Sequence, residues 1–105
     1  MTYQELATEI ISLGFPITYG SYIDPPALPY TIIIGSDDND VKADNHNYVK
    51  IRGHQLEYYN SKRNTVDEKA IEDKLDELRI GYAKYGPTPV ENEEMLQTVY
   101  EIQLI

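Results

Sequence analysis

The stretch Thr65-Val66-Asp67-Glu68-Lys69-Ala70-Ile71-Glu72-Asp73-Lys74-Leu75-Asp76-Glu77-Leu78 decides the fold class. Ile71, Leu75 and Leu78 recur at i, i+4 and i+7, which predicts a helix from Val66 to about Leu78 with a single apolar stripe. Thr65 and Glu68 have the spacing of a capping box at its start. Asp67, Glu72, Asp73, Asp76 and Glu77, set against Lys69 and Lys74, form its expected outer face. Such a helix needs one surface to cover, and the sequence on either side supplies strands. Before it, Tyr48 to Tyr59 reads as one long strand. Val49 and Ile51 share a parity there while Leu56 and Tyr58 take the other, which calls for a bulge near Gly53. After it come a short strand over Ile80 to Tyr85, a turn at Gly86-Pro87-Thr88-Pro89, and a last strand over Met95 to Leu104. In that strand Leu96, Tyr100, Ile102 and Leu104 lie on one side.

Further out, Tyr30 to Gly35 is a strand whose Ile32-Ile33-Ile34 run predicts burial on both faces and a central place in the sheet. Pro25, Pro26 and Pro29 keep the chain before it extended. Phe15, Ile17 and Tyr19 alternate as a short edge strand. Thr2 and Glu5 form a capping box, Leu6, Ile10 and Leu13 a stripe, and Gly14 with Pro16 a stop, so a helix covers Thr2 to Leu13. Gly35 to Asn47 has no period and reads as a long acidic loop, a length that signals function or disorder. The order α-β-β-β-α-β-β gives an α+β class. We expect a small mixed or antiparallel sheet of four to five strands, its last two strands antiparallel neighbours, with two helices packed on one face. The 105 residues make a single domain.

Lys plus Arg number 9 and Asp plus Glu 18, a formal net charge of −9. That balance argues against a nucleic-acid grip and against an anionic membrane surface. The absence of cysteine excludes disulfide scaffolds, thiolate zinc sites and cysteine nucleophiles. The apolar runs are too short to span a bilayer, and Met1 to Glu5 is polar and acidic, unlike a secretory leader.

Candidate chemistry is sparse. Asp38, Asp40 and Asp44 alternate like calcium ligands, but Ala43 and Val49 stand where an EF-hand needs glycine and glutamate. His46, His54 and Asp44 could compose a two-histidine, one-carboxylate site only if they shared a strand face. We therefore expect no metal and no cofactor. The helix carboxylates Glu72, Asp73, Asp76 and Glu77 read as solvated, whereas a general acid needs an apolar pocket. Ser12, Ser21, Ser36 and Ser61 lack a nucleophile elbow, and no glycine cluster could cradle phosphates. No catalytic residue is assigned, and an enzyme is not expected. Most of the ten tyrosines read as half-buried strand residues. Tyr58 and Tyr59 differ, because adjacent strand residues face opposite ways and one of them points from the core, which would suit a subunit contact.

Several segments carry a resemblance. They are Pro26-Ala27-Leu28-Pro29-Tyr30 before the isoleucine strand, and Ala43-Asp44-Asn45-His46-Asn47-Tyr48 before the long strand. Gln55-Leu56-Glu57-Tyr58-Tyr59 follows ahead of Lys62-Arg63, and Glu94-Met95-Leu96-Gln97-Thr98-Val99-Tyr100-Glu101 comes near the end. Over most of its length the chain resembles the small tail-terminator (tail-completion, head–tail joining) proteins of long-tailed phages and prophages of Gram-positive bacteria. The resemblance implies a non-enzymatic virion protein in the neck and tail, present in the host cytoplasm before assembly. It implies a ring, commonly of six copies, that caps the tail tube protein and docks the head connector or stopper protein, with the genome passing through. Copies of charge −9 would repel DNA in that channel, and would repel one another until the tail supplies a template. On this reading Asp37, Asp38, Asp40, Lys42 and Asp44 belong to a docking or channel-facing arm. Lys50, Arg52, Lys62 and Arg63 form a basic cluster that, with Tyr58 and Tyr59, meets a neighbouring subunit.

Two other classes stay open. The chain could be an acidic inhibitor or DNA mimic that offers the carboxylates of the second helix to a basic partner, although Lys69 and Lys74 interrupt that face. It could also be a small ligand-binding domain that uses its tyrosines.

Overall fold

Thr2 accepts a hydrogen bond at its side chain from the Glu5 amide (3.2 Å), and Glu5 returns one from the Thr2 amide (3.1 Å). This box starts α1 (Tyr3–Ser12) one residue inside the expected start. The computed structural model describes residues 1–35, 41–43, 46–49 and 52–104, with only the backbone of 41–43, 46–49 and 52. Leu6 and Ile10 of α1 are wholly buried, and Gly14, at φ +97°, ends the helix ahead of Pro16. The chain then enters β1 (Ile17–Tyr19), which runs parallel to β2 (Tyr30–Gly35) at the edge of the sheet. The Thr31 amide (2.8 Å) and hydroxyl (2.7 Å) both donate to the Pro16 carbonyl, which joins the two strands where regular pairing begins.

β5 (Arg52–Asn60) lies antiparallel between β2 and β7 (Leu96–Leu104), and β6 (Tyr82–Pro89) closes the other edge. The order is β1-β2-β5-β7-β6, with every pairing antiparallel except the first. The α+β class and the antiparallel last pair are as expected. The bulge near Gly53 is not: β5 and β7 pair without a register shift from Arg52↔Leu104 to Asn60↔Leu96. The parity conflict has another cause. Tyr48 and Val49 belong to β4 (His46–Val49), which pairs with β3 (Val41–Ala43) in a separate two-stranded sheet. The expected loop over 35–47 thus contains a hairpin.

That hairpin keeps the register of the main sheet. Gly35 pairs with His54; eight residues on from Gly35 and eight back from His54 lie Ala43 and His46, which are partners again. A one-residue shift interrupts this at Val41↔Val49. β3 and β4 thus lie between β2 and β5 in the chain and pair in their own sheet. A period-2 reading missed them because each is only three or four residues long.

The expected turn at residues 86–89 is also a correction. β6 continues through it, with a register shift between Tyr85 and Thr88. Gly86 sits at φ +96°, and a Cβ there would lie 2.6 Å from the Gln97 carbonyl oxygen, so glycine allows the strand to bend without leaving the sheet.

α2 (Thr65–Glu77) begins one residue ahead of the expected start, and its cap is Asn64, not Thr65. The Asn64 side-chain oxygen accepts from the amides of Val66 and Asp67, both at 3.1 Å. Ile71 and Leu75 of α2 join Leu6, Ile10, Ile33, Leu56, Tyr58, Tyr100, Ile102 and Leu104 in one core between the helices and one face of the sheet. Full burial of each such aliphatic chain is worth about 1.5–3 kcal/mol. Lys74 of α2 also reaches Glu9 of α1 at 3.5 Å. Both helices lie on this face, and no described helix covers the other. Ile33 is buried, but Ile32 and Ile34 are only half-buried, so the expectation of burial on both faces fails for β2. Among the described residues no helix is long and apolar enough to cross a membrane.

Candidate assembly surfaces

The residues singled out from the sequence fall in different places. Asp37, Asp38, Asp40, Asp44 and Lys50 lie outside the described residues. Lys42 is in β3 and Arg52 opens β5, each described by its backbone alone. Lys62 is exposed in the turn between β5 and α2. Arg63, next to it, sends its Nε to within 3.4 Å of Glu68. The two adjacent tyrosines do face opposite ways. Tyr58 points into the core and its hydroxyl donates to Asp67, so it is no contact surface. Tyr59 lies on the open face but is covered by its neighbours. Its ring stacks on Tyr30 at 5.2 Å, and its hydroxyl donates to Glu57 (2.8 Å) and accepts from Gln97 (2.9 Å). Among the described side chains the exposed tyrosines are Tyr19 at one sheet edge and Tyr85 at the other.

His54 is buried on the helix side, its ring 5.9 Å from that of Tyr3. His46 is in β4, and among the described residues no three His, Asp or Glu side chains gather as metal ligands would.

The densest polar cluster among the described residues is one the sequence reading does not anticipate. Glu68 and Glu72 do not both face water. Glu68 is 3% exposed and Glu72 half-buried, and both meet Lys84 of β6, at 2.6 and 3.0 Å. Glu72 also accepts from the hydroxyls of Tyr100 (3.0 Å) and Tyr82 (3.5 Å). A signal for this existed in the sequence. Glu68 and Glu72 lie three residues before and one after Ile71, on the flank of the apolar stripe, and Lys84 shares strand parity with Tyr82.

The electrostatics of the cluster are those of a fastener. Burial alone would raise the Glu72 carboxyl, but hydrogen bonds from Lys84 and Tyr100 and the Lys84 charge hold it below the usual range. Burial would lower Lys84, but its bonds to Glu68 and Glu72 raise it. Burial and the Glu72 carboxylate push Tyr100 well up. Every shift leads away from neutrality, the reverse of what a general acid–base pair requires.

Two surfaces remain available. On the open face Ile32, Glu57, Val99 and Tyr85 form one row across β2, β5, β7 and β6, and Ile34, Gln55, Glu101 and Ala83 form the next. Neither row contains a lysine or arginine. Beside β1, Ile11, Phe15, Pro16, Ile17, Tyr22 and Pro26 line a groove of about 550 Å³, with Asp24 at its rim. The Tyr22 hydroxyl is buried there without a hydrogen-bond partner, and the neighbouring Ile23 is 98% exposed. Both sheet edges are blunted: β1 has three residues, and β6 carries Pro87 and Pro89. The chain matches no known family model, and no curated protein matches it.

Proposed function

We propose that the protein is a structural component of a long-tailed phage or prophage. It caps the tail tube as a ring and joins it to the head connector, the role of the tail-terminator proteins it resembles. The observation that carries this reading is the pair β3–β4, which lies between β2 and β5 in the chain yet pairs in a separate two-stranded sheet. A two-stranded hairpin gains little stability alone, so a chain that builds one beyond its core has a use for it in contact with another molecule. The half-buried isoleucines of the open face and the exposed Ile23 add apolar area suited to contacts of the same kind.

The second helix weighs against the inhibitor or DNA-mimic reading. Glu68 and Glu72 turn toward the sheet and are matched by Lys84, while Lys69 pairs with Asp73 (2.7 Å) and Lys74 with Glu77 (2.9 Å). Few of its carboxylates are left to imitate a row of phosphates.

The test is deletion of the gene from its phage or prophage. The proposal expects filled heads and separate tails, with joining restored by a plasmid copy. Normal joined particles without the protein would contradict it.

A further inference from the structure

A ring needs a heterologous contact, in which one patch of each copy meets a different patch of the next. The sheet edges are poor candidates, since one is three residues long and the other is interrupted by two prolines. The open sheet face is a better one. Its centre is Ile32, Ile34 and Val99, half-buried and covered by no described helix, and Tyr85 beside them is 55% exposed. Its charges are Glu57 and Glu101, without a cation in either row. An isologous pairing of two such faces would set carboxylates against carboxylates, which is unfavourable. The occupant must bring positive charge. Within the same chain, the β5–α2 turn does so: Lys62 is exposed and makes no ion pair among the described residues, and Arg63 adjoins it with its side chain 58% exposed. Arg79 is exposed too, but it follows Asp76 and Glu77, so its surroundings are acidic.

Resting on the ring reading above, we infer that the Ile32–Glu57–Val99–Glu101 face of one copy receives the Lys62–Arg63 turn of the next copy. The contact is heterologous, joins a cationic turn to an anionic sheet face, and sets the direction of the ring. It also relieves part of the repulsion between copies of charge −9 at the place where they touch.

Two variants of the full chain test it. One carries Ser61→Glu and Lys62→Glu, which reverses the turn and leaves Arg63 on Glu68. The other carries Glu57→Lys and Glu101→Lys, which reverses the face. Association is read by light scattering and by carbodiimide cross-linking of isotope-mixed samples at low salt, with circular dichroism confirming the fold. Glu57→Gln with Glu101→Gln replaces the lysine variant if that fails to fold. The wild type associates, and each reversed variant alone loses association by roughly tenfold or more, as like charges meet. An equal mixture of the two reversed variants recovers it, because each turn again meets a face of opposite sign. With the glutamine variant the expected result is a partial loss. Wild-type association that both variants retain, or a mixture that does not recover, overturns this contact and leaves the ring reading standing. Wild-type chain that gives no intermolecular cross-link at a concentration of about 1 mM overturns this contact between free copies, and leaves the ring, which the tail can template, to the gene-deletion test above.

Discussion

Lys84 in β6 and Glu68 in α2 meet at 2.6 Å, and Glu68 is 3% exposed. This contact, with Glu72 at 3.0 Å from the same ammonium, fastens the second helix to the far side of the sheet. Replacing Lys84 by Met should leave Glu68 buried without its main partner. Loss of one partner of a buried pair costs about 3–5 kcal/mol. Lys84 keeps some exposure and Arg63 stays near Glu68, so a loss near the lower end is expected in urea unfolding. Adding Glu68→Leu to Lys84→Met should recover a good part of it, because the uncompensated charge is then gone.

The same cluster sets a pH dependence. The Glu72 carboxyl is held below its ordinary value in the folded chain, so its contribution is present above the unfolded pKa and is lost as pH falls through the lower, folded one. On this account the urea midpoint falls as pH drops below about 4.3, the ordinary value for glutamate. Glu72→Gln should flatten that part of the profile. Titrating the midpoint of both proteins between neutral and acid pH checks it, and identical slopes would remove Glu72 from the explanation.

The cap of α2 separates two neighbouring polar residues. Asn64→Ala removes the acceptor for two amides and should cost about 1 kcal/mol, a drop in melting temperature of roughly 4–8 °C for a domain of this size. Thr65→Ala, at the position expected from sequence to be the cap, should change it by much less. Thermal unfolding of the two variants side by side decides between them.

Gly86→Ala should destabilise the domain markedly, since the added Cβ would sit 2.6 Å from a backbone oxygen at a φ of +96°. Gly81→Ala is the control: its Cβ would meet nothing within 4 Å, and φ there is not in the left-handed region. Chemical denaturation of both variants should show a clear loss for the first and little change for the second.

Elements with long, regular periods were legible. The stripes at Leu6 and Ile10 and at Ile71 and Leu75 place both helices, and the shared parity of Leu96, Tyr100, Ile102 and Leu104, with Thr98 between them, places the last strand and its inward face. Features that depend on tertiary partners were not. Thr65 and Glu68 fit the capping-box spacing, but Glu68 is engaged by Lys84 and Arg63, and Asn64 takes the cap. The parity break between Ile51 and Leu56 suggests a bulge because a sequence cannot show that Tyr48 and Val49 pair in a different sheet. Pro87 and Pro89 announced a turn, yet on an edge strand a missing amide costs little and the strand runs on. Of the candidate contact residues, Tyr58 and Tyr59 were correctly set on opposite faces, but the stacking that covers Tyr59 depends on Tyr30, nearly thirty residues earlier.

Where the protein sits in the particle decides whether it is a neck component. Gold-labelled antibody against it, applied to purified virions and imaged by electron microscopy, tests that most directly. The account predicts label at the junction of head and tail on intact particles, and at the head-proximal end of free tails. Label confined to unassembled lysate, with none on particles whose neck is accessible, would contradict it.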